Sequence, residues 1–174
     1  MNSSSEPIEL PAQEFITVVG RWIPRTIDNP ELFPTDPSST SYDHNPNLTS
    51  QNTTPTDVLS TSSDDWIGKR SGFPKDFARI CQIIFLQLFR IYSHLYWEHF
   101  VEAFYHLNLE KQLNSSFSHF ILTAMTLNML EPHDLEPMQD LLDLWAANDT
   151  FPPDSKPYQN ADLKRGSQLL RHNV

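Results

Sequence analysis

Two histidines, His94 and His99, stand in the run Ser93-His94-Leu95-Tyr96-Trp97-Glu98-His99-Phe100. Imidazole is the side chain best suited to ligate a transition metal or to move a proton near neutral pH. A spacing of five is awkward for joint work, because a regular helix sets the two rings about 140° apart with a rise of about 7.5 Å. Shared ligation therefore requires a helix end, a kink or a π-bulge between them, together with ligands from elsewhere. Spacing alone leaves open the alternative of two histidines satisfied by hydrogen bonds in a core or an interface. Other donors are poorly placed: His44 lies in a polar segment and Cys81 several helical turns upstream. As the single cysteine, Cys81 has no partner for a disulfide or a CxxC knuckle, and beside Ile80, Ile83 and Ile84 its thiol is inert. The sequence holds no glycine-rich phosphate loop, HExxH or GxSxG, and its four glycines leave little material for one. Catalysis is not expected. A metal-dependent enzyme built on the histidine pair would need a third ligand and an activated water that the sequence does not show.

The elements that carry these residues are helical. Phe15, Val19, Trp22 and Ile23 fall at helical spacing in a short amphipathic helix that Pro24 should end or kink. A long apolar-periodic block opens at Phe73-Pro74 and runs to about His106. One of its stripes is Phe77, Ile80, Ile84, Leu88, Ile91 and Leu95; the other is Phe85, Phe89, Tyr92, Tyr96, Phe100 and Phe104. A helix apolar over so much of its circumference is expected to be buried on most sides. A third helix is predicted from Asn114 or Ser115 as N-cap through Phe117, Phe120, Ile121, Ala124 and Leu127. A fourth is predicted from Asp134 as N-cap, burying Leu135, Met138, Leu142 and Trp145. Nothing alternates like a strand, so the fold is expected to be all-α.

Composition sets the limits. The 174 residues carry Asp+Glu 22 against Lys+Arg 12, a net charge of −10, and only 39% hydrophobic residues against about 45–50% for globular chains. Such acidity disfavours nucleic acid and anionic membranes, which demand lysine and arginine, and points to a basic or neutral protein partner. The longest apolar stretch, residues 80–97, carries Gln82, Gln87, Arg90 and His94 and fails as a membrane span. The start of the chain is polar and acidic, unlike a secretory signal, so the expected location is cytoplasmic or nuclear. In residues 35–72, 21 of the 38 positions are Ser, Thr, Pro or Asn. Such a segment is expected to be a disordered insertion, since it buries too little apolar surface to offset its ordering entropy. Its Thr54-Pro55 step has the form of a proline-directed phosphorylation site. Residues 1–10 are read as a disordered N-terminus and residues 147–174 as a flexible tail. The acids Glu131, Asp134, Glu136, Asp140 and Asp143 read as a solvated helix face, or as a patch that meets a basic segment.

The run Phe73-Pro74-Lys75-Asp76-Phe77, then Leu88 to Phe100, then Leu113-Asn114-Ser115-Ser116-Phe117-Ser118-His119-Phe120, resembles the Mob/phocein family of kinase coactivators. The segment Leu127 to Met138 resembles that family's closing helix, and Pro11 to Ile16 with Trp22-Ile23 and Leu32-Phe33-Pro34 resembles the stretch before its FPK motif. Residues 11–34 and 73–146 would then form a partial Mob-like helical domain, its C-terminal half. The resemblance aligns His94 and His99 with the two histidines of the family's Cys2His2 zinc site. The cysteine pair, which belongs to the N-terminal half, is absent, so no resident cofactor is expected and zinc only if ligands outside this chain complete the tetrahedron.

In one branch of the family a basic cluster on the central helix reads phosphothreonine peptides. Here only Arg90 is basic among those positions, with Leu86 and Gln87 where the others would stand, which forfeits most of the charge-assisted bonds such a site uses. The residues alone read Arg90 as emerging from a helix end or pairing with a carboxylate. The resemblance implies a non-catalytic adaptor and coactivator of NDR/LATS-class Ser/Thr kinases in cell-cycle, septation or morphogenesis signalling, with the kinase's basic N-terminal regulatory segment as partner. The alternative is a structural or interaction fragment without kinase activation, prone to self-association through exposed apolar surface.

Overall fold

The computed structural model describes residues 10–34, 74 and 76–172. Among them it is all-α, as the sequence predicts, with no strand. The chain divides between Cys81 and Gln82 into two units. No helix among the described residues is long and apolar enough to cross a membrane. The segment 35–72 with its Thr54, as well as Phe73, Lys75 and residues 1–9, lies outside the described residues.

In the first unit, helix α1 spans Ala12–Ile27 and buries Val19. Pro24 lies within it rather than ending it. Proline forfeits its own N–H bond and its ring crowds the carbonyl four residues back, but near the helix end its carbonyl still accepts from the Asp28 N–H at 2.8 Å to close the last turn. The ring of Phe33 meets that of Phe77 edge-on, centroids 5.1 Å apart.

Helix α2, Phe77–Glu98, starts in the first unit and continues through the second. A π-helix, Phe100–Tyr105, follows it, and α3 spans Glu110–Thr126. The second stripe predicted for α2 faces α3. Phe89 is buried, and Tyr92 stacks on Phe117 at 4.9 Å and Phe85 on Phe120 at 5.5 Å. The first stripe is less covered than expected: only its Ile84 is buried, while Leu88, Ile91 and Leu95 remain half-buried.

The start of α3 corrects the sequence reading. Asn114 and Ser115 are interior, the helix opening at Glu110. Polar groups in this stretch serve α2 instead of capping: the Tyr96 hydroxyl donates to Asn114 Oδ1 at 2.7 Å, and the Tyr92 and Ser116 hydroxyls share a bond of 2.6 Å. At the other end Asn128, with φ 55°, adopts the left-handed conformation that lets the Asn128 and Met129 N–H groups return to the Met125 and Ala124 carbonyls.

The predicted fourth helix is two elements, a 3-10 helix Pro132–Met138 and α4, Gln139–Ala147. Asp134 is not an N-cap. It is the fourth member of a capping box opened by Glu131, whose N–H donates to Asp134 Oδ2 at 2.9 Å. Leu135, Met138, Leu142 and Trp145 are buried as predicted, around Phe117, Ile121 and Ala124.

Residues 147–174, expected as a flexible tail, instead carry α5, Lys156–Asn160, and α6, Leu163–His172, which packs on α4. Phe151 is buried with its ring 5.9 Å from Trp145. Asp143, read as part of an acidic surface, is fully buried. Its carboxylate accepts from Gln139 Nε2 at 2.7 Å, the Asp162 N–H at 3.0 Å and Arg165 Nε at 2.5 Å. Asp162 in turn caps α6 by accepting from the Lys164 and Arg165 N–H groups. At Gly166 a Cβ would stand 2.0 Å from the Asp143 carbonyl oxygen, so only glycine lets α6 approach α4 this closely.

Candidate functional site

His94 lies in the last turns of α2, half-buried; His99 lies just past its end, exposed. The break between α2 and the π-helix falls at His99, with φ −125° and ψ 0°. Beyond it the chain widens: the His106 N–H reaches back five residues to the Val101 carbonyl at 3.2 Å, and Leu109 to Phe104 at 2.8 Å. This is the condition that a spacing of five imposes on joint action, and it brings the two imidazoles together. Their centroids are 4.9 Å apart, with the planes 82° from parallel.

Two imidazoles are half of a tetrahedral set. Among the described residues no group of three His, Cys, Asp or Glu side chains is placed to hold a metal ion. Cys81 is half-buried, and burial pushes its thiol up, away from the thiolate that a metal or an electrophile requires. The donors present do not fit a closed zinc site. The nearby Tyr96 phenol is pushed up by burial and by Tyr92, which keeps it a hydrogen-bond donor to Asn114 rather than an acid.

Arg90 is exposed on α2, one turn before His94, with Nη1 donating to Gln87 Oε1 at 3.5 Å. Together with Leu86, Phe89 and Ser93 it faces His133, Asp134 and Glu136 of the 3-10 helix across a cavity of about 650 Å3. Ser93 Oγ lies buried at its edge without a hydrogen-bond partner. His133 is held between Glu131 and Asp134 at 3.3 and 3.4 Å. One guanidinium facing two carboxylates is a poor receiver for a phosphoryl group, whose binding relies on several cationic donors. The 3-10 helix as the opposite wall escaped the sequence reading. The Glu131-x-x-Asp134 spacing was the available signal, since it marks a helix start before Pro132 rather than at Asp134.

The described residues thus form an all-α module with an aromatic core, carrying a paired imidazole site and a single-arginine cleft on its central helix. Residues 53–138 match the model of the Mob1/phocein family, and through this segment the chain belongs to that family. The matched stretch includes residues 53–72, assigned above to the insertion. The chain is 28% identical over 144 residues to maintenance of ploidy protein mob2 of Schizosaccharomyces pombe, covering 82% of this chain and 45% of the relative. It is 30% identical over 139 residues to maintenance of ploidy protein mob1 of the same yeast, covering 80% and 50%. It is 28% identical over 144 residues to the CBK1 kinase activator protein MOB2 of Candida albicans, covering 82% and 35%. The chain spans half or less of the length of these relatives.

Proposed function

We propose that this chain is a non-catalytic Mob-like adaptor that binds a Ser/Thr protein kinase of the NDR/LATS class, in the cytoplasm or the nucleus. The observation that carries the reading is the family match over residues 53–138, joined to relatives in two yeasts named as activators of the CBK1 kinase. The net charge of −10 supports a basic kinase segment as the ligand, since opposite charge steers encounter and fixes register. The mechanism is adaptor binding: a helical surface selects and orders a kinase segment, with no bond made or broken by the adaptor. The chain needs no cofactor for this, and zinc enters only with ligands from outside it. The test is a pulldown of the chain against a basic N-terminal kinase segment beside a complete Mob protein. Retention at micromolar concentration supports the reading; retention by the complete protein alone rejects it for this chain.

The exposed Trp97, Val101, Tyr105 and Leu107 favour a second reading, an interaction fragment that binds through apolar surface without activating a kinase. Sedimentation equilibrium separates the two. Concentration-dependent oligomers that ignore the kinase segment would select the fragment.

A further inference from the structure

A second cavity, about 480 Å3, opens beside the end of α2. Tyr96, Met138 and Leu141 supply its apolar lining, and Trp97 stands at it with 71% of its surface in water. The indole is oriented, since its N–H donates to the Pro137 carbonyl at 3.3 Å. An exposed and oriented indole face is the best aromatic receiver for a cation.

The charges beside it have the complementary sign. Glu136 and Asp140 line the cavity, and Arg165 is the one cation among the lining residues. Arg165 is already committed: Nε bonds the fully buried Asp143 at 2.5 Å and Nη1 reaches Asp140 at 3.3 Å. Asp140 and Asp143 already share this single guanidinium, and with Glu136 also lining it the cavity is short of positive charge where the ring is open. A phosphate or a nucleic acid strand would meet repulsion there. The volume falls within the range of ligand pockets and suits one or two side chains.

We propose that this cavity docks a partner's peptide segment in which an arginine or lysine is flanked by an apolar residue. The cation lies against Trp97 within reach of Glu136 and Asp140, and the apolar side chain covers Tyr96 and Leu141. This deepens the reading above by giving a basic segment a place to dock, and its test uses no kinase, so the two fail separately.

The full chain is titrated against a short fluorescein-labelled peptide alternating arginine and leucine, with the citrulline–leucine peptide as the neutral control, and anisotropy is read. The arginine peptide binds saturably, the citrulline peptide does not, and added salt weakens the complex. Trp97→Ala weakens it about fivefold to thirtyfold, and Glu136→Gln about twofold to fivefold. Circular dichroism checks each variant's fold. Should Trp97→Ala lose helix, Glu136→Gln, at an exposed side chain, decides. Equal binding of the two peptides, no saturable binding, or wild-type affinity in Glu136→Gln overturns the proposal. So does Trp97-dependent self-association that the arginine peptide cannot compete away, which would make a second copy the occupant.

Discussion

A carboxylate with no exposure to water persists only when donors meet its oxygens, and Asp143 has three: Gln139, the Asp162 N–H and Arg165. Asp143→Ala strips these donors at once. Because the Arg165 side chain is half-exposed and can return to solvent, the loss is set by the buried amide and the missing charged bonds, about 2–3 kcal/mol. A lower urea midpoint with unchanged slope would report it. Asp162 adds a pH dependence of known sign. The Arg165 N–H bond is the largest influence; burial opposes it, and the Lys164 N–H bond with the charges of Arg165 and Lys164 tips the balance, holding the carboxyl below the ordinary aspartate value of 3.8. A depressed folded-state value stabilises α6 above pH 3.8 and loses that contribution as the pH falls through the folded-state value. Acid titration of ellipticity should show this step, and Asp162→Asn should remove it. At this scale the sequence was half legible. It marked His94 and His99 and the condition under which they meet, but not the burial of Asp143, because five acids without an intervening lysine or arginine look alike until a partner 22 residues away is seen.

Among the elements, legibility followed locality. The stripe Phe85, Phe89, Tyr92 and Tyr96 is written in a 3.6-residue period, and it packs on α3 as that period requires. The start of α3 was hidden because Asn114, a good capping type, is used by Tyr96 of α2 instead. The C-terminal helices were hidden for the opposite reason. They are short and polar, and α6 buries only Gly166 among its described side-chain positions, so their order comes from α4 rather than from propensity. Gly166→Ala tests this. In an ordinary helix interior the change gains about 1 kcal/mol; here the Cβ collides with backbone of α4 and the expected result is a loss of about 1–3 kcal/mol. A rise in melting temperature would show that α6 does not rest on α4 as described.

For the whole molecule, the paired imidazoles are the clearest case of a site that a helix break creates and the described chain leaves half built. Purified chain equilibrated with zinc and then desalted should retain well under one equivalent, since two preorganised donors supply little of the affinity of a closed four-ligand site. Retention of one full equivalent, read by elemental analysis, would demand ligands from outside the described residues or from a second copy.

The node at Asp143 also sets how the fold breathes. Because α6 is fastened by one charged centre and a glycine contact rather than by a wide apolar face, it should lift as a single cooperative piece while the aromatic core stays shut. Amide deuterium uptake should then run together across residues 166–171 and precede that of residues 117–125 by a wide margin. Neutralising the node in Asp143→Asn should speed the first group and leave the second unchanged, revealing an opening of the folded state short of unfolding.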